Sequence, residues 1–470
     1  MPKITFMGAG STIFAKNILG DSMLTPALSG SEITLYDINA ERLKESVLML
    51  EALNKNVNEG RAKISAHLGA ANRRKALKSA DYVVNAIQVG GYEPSTVIDF
   101  EIPKKYGLRQ TIADTLGIGG IFRALRTIPV VLDFARDMEK VCPDAWFLNY
   151  VNPMAMVTGA MLRGSEVRAV GLCHSVQGCA RGLLKRTGLF DGVKDLRWKI
   201  AGINHQAWLL EIKDGAKDLY PEIKRRAAEL AMNARKKGGR KFFEEERKKA
   251  EASGDKKWRE RPEIRVLDDL VRLELMLRFG FYITESSEHT SEYTPWFIKN
   301  AHPELIDEFN IPLDEYPRRC IEQIKEWKER SADHVSNPAI THKRTTEFGS
   351  YIMEAIETNK PTRIHGNVMN DMLITNLPAK ACVEVPCLVD GNGVQGCRVG
   401  DLPEQCAAIN RTNVNVQILT MEAALTRKKD LVYQAAMLDP HTAAELTIDE
   451  IVNLCDDLFE AHGEMIPEME

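Results

Sequence analysis

The chain has 470 residues, 44% hydrophobic and 27% charged, with a formal net charge of -4. It is too long for one small core, so two fused lobes or one large α/β unit are expected. The slightly acidic balance offers no basic field for nucleic acid, and no apolar run reaches membrane-spanning length. The opening Pro2-Lys3-Ile4-Thr5-Phe6 enters a strand directly, without a charged-then-apolar leader. Nine cysteines, an odd number without small-domain spacing, read as reduced thiols of a cytoplasmic protein. Cys382 and Cys387 form no Cys-x-x-Cys pair, and most of the nine read as small buried hydrophobes.

Residues 3–7 are an apolar strand that runs into Gly8-Ala9-Gly10-Ser11, with a helix expected from Thr12. A second strand, 32–36, ends at Asp37, and a helical pattern follows from Ala40 to Asn58. Residues 81–87 read as a buried strand before Gly90-Gly91, and 145–150 and 167–172 as two more. This alternation predicts an α/β fold, a Rossmann-like doubly wound parallel sheet. From 196 the pattern changes to two strands around His205, 196–202 and 208–212, expected to be antiparallel. The domain transition is placed here: 1–195 for dinucleotide binding, 196–470 a mixed and mainly helical second domain. Residues 233–262 are dense in interleaved Lys, Arg and Glu and read as solvated helix and mobile loop. Further on, 414–427 and 447–461 are amphipathic helical segments.

A strand running into Gly-x-Gly lets backbone approach a pyrophosphate, and the next helix N-terminus supplies N–H donors and a favourable dipole. Gly8, Gly10, Ser11 and Thr12 form this turn, although Ile13 stands at the third glycine position. Asp37, ending the second strand, suits the adenine ribose hydroxyls and favours NAD; the alternative for it is a helix N-cap. Gly90 and Gly91 fit a second close approach of backbone to cofactor.

Cys173 and His205 each end a strand-like run. Both are compatible with a core role. Two protein ligands underfill a closed zinc site, but an open site completed by substrate oxygens would suit Mn²⁺ or a similar Lewis acid.

At these residues the sequence resembles glycoside hydrolase family 4, and within it the bacterial α-galactosidase (melibiase) type. The matching segments are Gly8-Ala9-Gly10-Ser11-Thr12, Asp37-Ile38, Gln88-Val89-Gly90-Gly91-Tyr92, Asp114-Thr115, Asn149-Tyr150-Val151-Asn152-Pro153, Gly171-Leu172-Cys173-His174-Ser175, Gly202-Ile203-Asn204-His205 and Glu285-Ser286-Ser287-Glu288-His289. They run nearly end to end.

The resemblance implies hydrolysis by transient oxidation, one of the exceptions to the two-carboxylate scheme. In the family, NAD⁺ takes hydride from carbon 3 of the sugar, a base removes the carbon 2 proton, the glycosidic oxygen leaves, and water and hydride are returned. By the same resemblance Cys173 and His205 are the metal ligands, Asn149 lies with the cofactor residues, and Asn152 and His174 face substrate. Asp114 is the acid that assists the leaving oxygen. The carbon 2 base falls in 285–293, where Ser287 occupies the aligned position; Glu288, His289 or a metal-activated water would act instead. Without a phosphate-binding signature, a non-phosphorylated α-galactoside such as melibiose is expected, as substrate of a homodimer or homotetramer. The alternatives are the same mechanism on α-glucosides or α-uronides, and a malate-type hydroxy-acid dehydrogenase, which leaves Cys173 unexplained.

Overall fold

The computed structural model describes residues 1–335 and 337–470. Its strands are β1 (Lys3–Met7), β2 (Glu32–Asp37), β3 (Lys63–Leu68), β4 (Tyr82–Asn85), β5 (Trp146–Asn149), β6 (Arg168–Gly171), β7 (Leu196–Ile203), β8 (Gln206–Asp214), β9 (Lys217–Asp218), β10 (Tyr282–Ile283), β11 (Thr362–Met369), β12 (Cys382–Asp390) and β13 (Gly393–Gly396). Among the described residues they join one sheet in the order β10-β8-β7-β12-β11-β6-β5-β4-β1-β2-β3, with β13 on β12 and β9 on β8. The parallel half, β3-β2-β1-β4-β5-β6, has the Rossmann order.

Apolar side chains on both strand faces explain the parallel half. Phe6, Val84, Leu148 and Val170 pack in one core, and Met7, Val83, Phe147 and Ala169 in the other. Strands buried on both faces need helices on both sides, and the helices Thr12–Leu24, Ala40–Asn58 and Gly117–Val141 follow from that. Register then sets the site. Met7 pairs with Asn85, Asn85 with Asn149 and Asn149 with Gly171, so four strands end in one row. The loops after them share one edge, where ligands of open α/β sheets bind.

The antiparallel half is less visible in the sequence. β7 and β8 form the expected hairpin, but β12 and β11 separate it from β6. Asn367 pairs with Gly171 and Glu384 with Gly202, which brings the end of β6 and the β7–β8 turn onto one row. The helical pattern read across the C-terminal part did not reveal β11 to β13, whose pairing is long-range. The exposed strand β3 was also not anticipated. Residues 233–262 hold the expected helix, Gly239–Ser253, which is mostly solvated but buries Phe242 and Ala250, and Trp258 is buried after it. The helices expected at 414–427 and 447–461 are Glu404–Thr426 and Ile448–His462, the second started by a Thr447/Glu450 capping box.

Candidate active site

The glycine turn after β1 is built for backbone, not side chains. Gly8 has φ +85°, and a Cβ there would lie 2.7 Å from the Ala86 carbonyl oxygen. Gly8 and Ala9 both donate to the Tyr36 carbonyl, at 2.9 and 3.0 Å. Asp37 reaches across from β2: its carboxylate accepts from Gly10 N–H at 2.6 Å and from Asn39 N–H at 2.8 Å. The cap of the next helix is Asn39, which leaves Asp37 to hold the turn. Ser11 donates its N–H to the Gly8 carbonyl at 3.0 Å, and the Thr12 hydroxyl accepts from Ser46 at 3.1 Å. The helix Thr12–Leu24 carries no acid in its own first turn, so Asp37 from β2 is the carboxylate seen at its positive end. Gly90 and Gly91 follow β4 with φ +80° and +64°, and a Cβ on Gly90 would fall 1.8 Å from Ser95 Oγ. A cradle closed to a Cβ at Gly8 and Gly90, at the positive end of a helix, fits a dinucleotide pyrophosphate. Asn149 instead spends its amide inside the protein, on the Val151 carbonyl and Thr158 Oγ1 at 3.1 Å each.

Cys173 lies just past β6, and His205 sits in the β7–β8 turn with φ +63°. Glu285 joins them because β10 pairs with β8, Ile283 opposite Trp208, and Thr284 N–H donates to the Ala207 carbonyl at 2.9 Å. The Cys173 sulfur, a His205 ring nitrogen and a Glu285 carboxylate oxygen all lie within 4.8 Å of one another. His205 Nε2 is 3.5 Å from Glu285 Oε2, and its Nδ1 is 3.1 Å from the Tyr293 hydroxyl, which fixes the ring. Burial alone would raise the Cys173 thiol, but the charge and hydrogen bond of His205 outweigh it and lower it. The same partnership, with Glu285, raises His205 against the effect of burial. A thiolate, an imidazole and a carboxylate at this spacing fit a borderline divalent ion with open positions.

Asp114 precedes the helix Gly117–Val141, on a loop clamped by Glu292. The Glu292 carboxylate accepts the N–H groups of Thr111, Ile112 and Ala113 at 2.8, 3.1 and 2.9 Å. Asn152 Nδ2 donates to Asp114 Oδ2 at 3.0 Å, and Thr115 Oγ1 donates to Oδ1 at 2.7 Å. His289 Nε2 is 3.7 Å from Asp114 Oδ1, and its Nδ1 is 3.9 Å from Glu285 Oε1. Burial would raise the Asp114 carboxyl; the nearby His289 ring and the charges of Arg123 and His205 instead hold it well below the carboxylate range. Asp114, Asn152, His289, Glu285, His205 and Cys173 therefore form one connected group. Glu288 stands apart, its carboxylate paired with Arg319 at 2.6 Å. His174 is exposed, with Nε2 2.6 Å from Glu347 Oε1.

Glu285, Tyr293, Arg123 and Glu347 carry no assigned role in the sequence reading. Glu285 had a signal, its place in the Glu-Ser-Ser-Glu-His segment; Glu347, far along the chain, had none.

The family models for family 4 glycosyl hydrolase and its C-terminal domain match residues 3–189 and 200–442. The chain belongs to family 4 of the glycosyl hydrolases. Within family 4 it is 57% identical over 469 residues to an α-galactosidase of Bacillus subtilis (strain 168), covering 100% of both chains. It is 34% identical over 476 residues to an α-galactosidase of Rhizobium meliloti (strain 1021), covering 99% of this chain and 89% of that one. The fold of the family 4 6-phospho-β-glucosidase of Thermotoga maritima, solved with manganese, NAD⁺ and glucose-6-phosphate, overlays with a TM-score of 0.72 at 19% identity over 100% of both chains. As a family 4 member, the protein is a glycoside hydrolase. No helix among the described residues is long and apolar enough to cross a membrane.

Proposed function

We propose that the protein is an NAD- and divalent-metal-dependent α-galactosidase that opens substrates such as melibiose by transient oxidation at carbon 3 and elimination. The observation that carries this reading is the meeting, on one sheet edge, of a glycine cradle and the Cys173–His205–Glu285 group within 4.8 Å. The two α-galactosidase relatives support the sugar, and the relative solved with NAD⁺ and manganese supports the cofactors.

In this reading Gly8, Gly10, Ser11, Thr12, Asp37, Gly90 and Gly91 hold NAD, and Cys173 and His205 hold the ion. When bound, NAD⁺ exchanges hydride with carbon 3 and the ion stabilises negative charge that develops on the neighbouring oxygens. Asn152 and His174 orient the sugar. Glu285, which leaves the ion to Cys173 and His205, takes the carbon 2 proton: burial would raise its carboxyl, but the charges of His205 and His289 lower it, so it is ionised. Asp114 is held too acidic to donate alone. His289, 3.7 Å from it, is the group placed to pass a proton toward the leaving oxygen. Glu288, tied to Arg319, takes no part in the chemistry.

The division at 195/196 belongs to the same proposal: the first part holds NAD and supplies Asp114, Asn152, Cys173 and His174, and the second supplies His205, Glu285 and the assembly contacts. Nine free thiols, one of them a ligand, suit the cytoplasm. The exposed Ile321 and Ile324 on the helix Glu315–Val335 suit a homodimer or homotetramer contact.

A panel of nitrophenyl glycosides with NAD⁺, Mn²⁺ and a reductant tests the reading. Galactose release without net NADH is expected. In heavy water the sugar is expected to carry deuterium at carbon 2. Hydrolysis independent of NAD⁺, or NADH accumulating with a hydroxy acid, would overturn it.

A further inference from the structure

The turn at 89–91 is held from behind by a buried chain of contacts that the chemistry above does not use. Arg126 on the helix Gly117–Val141 and Asp99 on the helix Val97–Lys105 are both buried. Arg126 Nη1 and Nη2 donate to Asp99 Oδ1 and Oδ2 at 3.1 and 2.6 Å, a two-point grip that fixes the guanidinium plane. The remaining donor, Nε, reaches the Val89 carbonyl at 3.3 Å. Asp99 is held in turn by His462, the last residue of the helix Ile448–His462, whose Nε2 lies 3.0 Å from Asp99 Oδ1. The His462 ring stacks on Phe122 with 5.9 Å between centroids, and its Nδ1 is buried without a protein partner. A buried ion pair adds little net stability over well-packed apolar side chains, so its presence here needs another reason.

The turn supplies that reason. The peptide between Val89 and Gly90 is planar and trans, so drawing the Val89 carbonyl toward Arg126 turns the Gly90 N–H the opposite way. The next peptide is set likewise, because the Gly90 carbonyl accepts from Ser95 N–H at 3.4 Å. Ser95 is itself covered by the C-terminal segment, its Oγ donating to Met465 Sδ at 3.1 Å. Two carbonyls drawn into the protein turn the N–H groups of Gly90 and Gly91 away from it, the orientation that an approaching anionic oxygen needs.

We propose that Arg126, Asp99 and His462 are positioning residues for NAD, which aim the Gly90–Gly91 backbone at the cofactor and make the last helix of the chain part of the cofactor site. The inference rests on the proposed role of Gly90 and Gly91 in holding NAD. None of the three needs to touch the cofactor; each acts through the Val89 carbonyl. His462 and Asp99 are 363 residues apart, so the presentation of this turn is decided by the C-terminal helix as well as by the Rossmann half. An arginine suits the place because its planar fork serves two carboxylate oxygens and a carbonyl at once.

The test uses full-length protein. Arg126→Lys keeps the charge beside Asp99 but puts one flexible ammonium in place of the fork, which cannot hold both carboxylate oxygens and the Val89 carbonyl. Its NAD⁺ affinity by calorimetry is expected to fall about tenfold or more, the scale of one misaimed hydrogen bond to an anion. Mn²⁺ affinity, titrated without NAD⁺, is expected to be unchanged. In turnover the NAD⁺ concentration for half-maximal activity should rise, with kcat at saturating NAD⁺ close to wild type. His462→Ala removes only the outer contact and is expected to weaken NAD⁺ about threefold, and His462→Gln, whose amide can still donate to Asp99, to recover part of that. A merely structural role would lower the thermal midpoint and leave NAD⁺ affinity as it is, or weaken Mn²⁺ and NAD⁺ alike; either result overturns the proposal. Should Arg126→Lys not fold, the His462 variants decide, and unchanged NAD⁺ affinity in His462→Ala overturns the proposal. Wild-type protein that binds no NAD⁺ overturns the cofactor reading and this inference together, whereas NAD⁺ bound equally by wild type and variants overturns this inference alone.

Discussion

Asp21 and Glu384 are both fully buried carboxyls, and the protein treats them in opposite ways. Asp21 joins the helix Thr12–Leu24 to the 342–350 strap. It accepts from Thr345 N–H and Oγ1 and lies 2.7 Å from His342 Nε2. Burial would raise its carboxyl, but the His342 and Thr345 hydrogen bonds outweigh this and lower it. Glu384 stands on β12 behind Cys173 and His205. Asn367 Nδ2 donates to its Oε1 at 3.2 Å, while its Oε2, both amide atoms of Asn204 and Gln206 Nε2 lack protein partners. Burial first, and then the charge of Cys173, push its carboxyl well above the usual range. The joint is a satisfied network that stabilises the fold. The layer behind the ligand candidates keeps polarity at a cost in stability, which is where a functional site departs from folding rules.

The strongest way to sharpen this contrast is Cys173→Ser. Turnover is expected to fall about a thousandfold or more, because the thiolate is a ligand, with little change in thermal midpoint. Retained metal and turnover would return Cys173 to the core fillers. At the joint, Asp21→Asn should cost about 2–4 kcal/mol in urea unfolding, since it breaks a buried network to His342 and Thr345. A loss near zero would remove the structural role. Asp37→Ala should weaken NAD⁺ binding by about 1–3 kcal/mol in calorimetry, by loosening the turn at Gly10 and removing the ribose acceptor. Unchanged affinity would take Asp37 out of the site. The smallest effect is expected from Glu384→Gln measured at a pH below the ordinary glutamate range, within about 1 kcal/mol of wild type, because there that carboxyl carries its proton in the folded and the unfolded chain alike. The pH dependence separates the two carboxyls. Folded Asp21 binds fewer protons than unfolded Asp21, so its contribution is present above the ordinary aspartate value and lost as acid protonates it. Folded Glu384 keeps its proton after the unfolded chain has released it, so metal-free protein should lose stability as pH rises above the ordinary glutamate range, and Glu384→Gln should remove that loss.

Sequence alone determined the parts that depend on local pattern. Alternating strands and helices, glycines at turns that admit no Cβ, Asp37 at the end of β2, and Cys173 and His205 at strand ends are short-range features with periodicity or spacing behind them. The resemblance to family 4 rests on those same segments. Tertiary structure decided what depends on pairing between distant segments. β11 and β12 enter between β6 and β7, and this insertion brings Cys173 and His205 to one edge. β10 on β8 delivers Glu285, and the Asp21 joint delivers Glu347 to His174. Glu288 and His289 are neighbours in sequence, yet the helix Ser287–Glu292 turns one toward Arg319 and the other toward Asp114. Hydrophobic pattern says which face of an element is buried, but not which distant element covers it; that choice, made by packing and strand register, is what assembled the site.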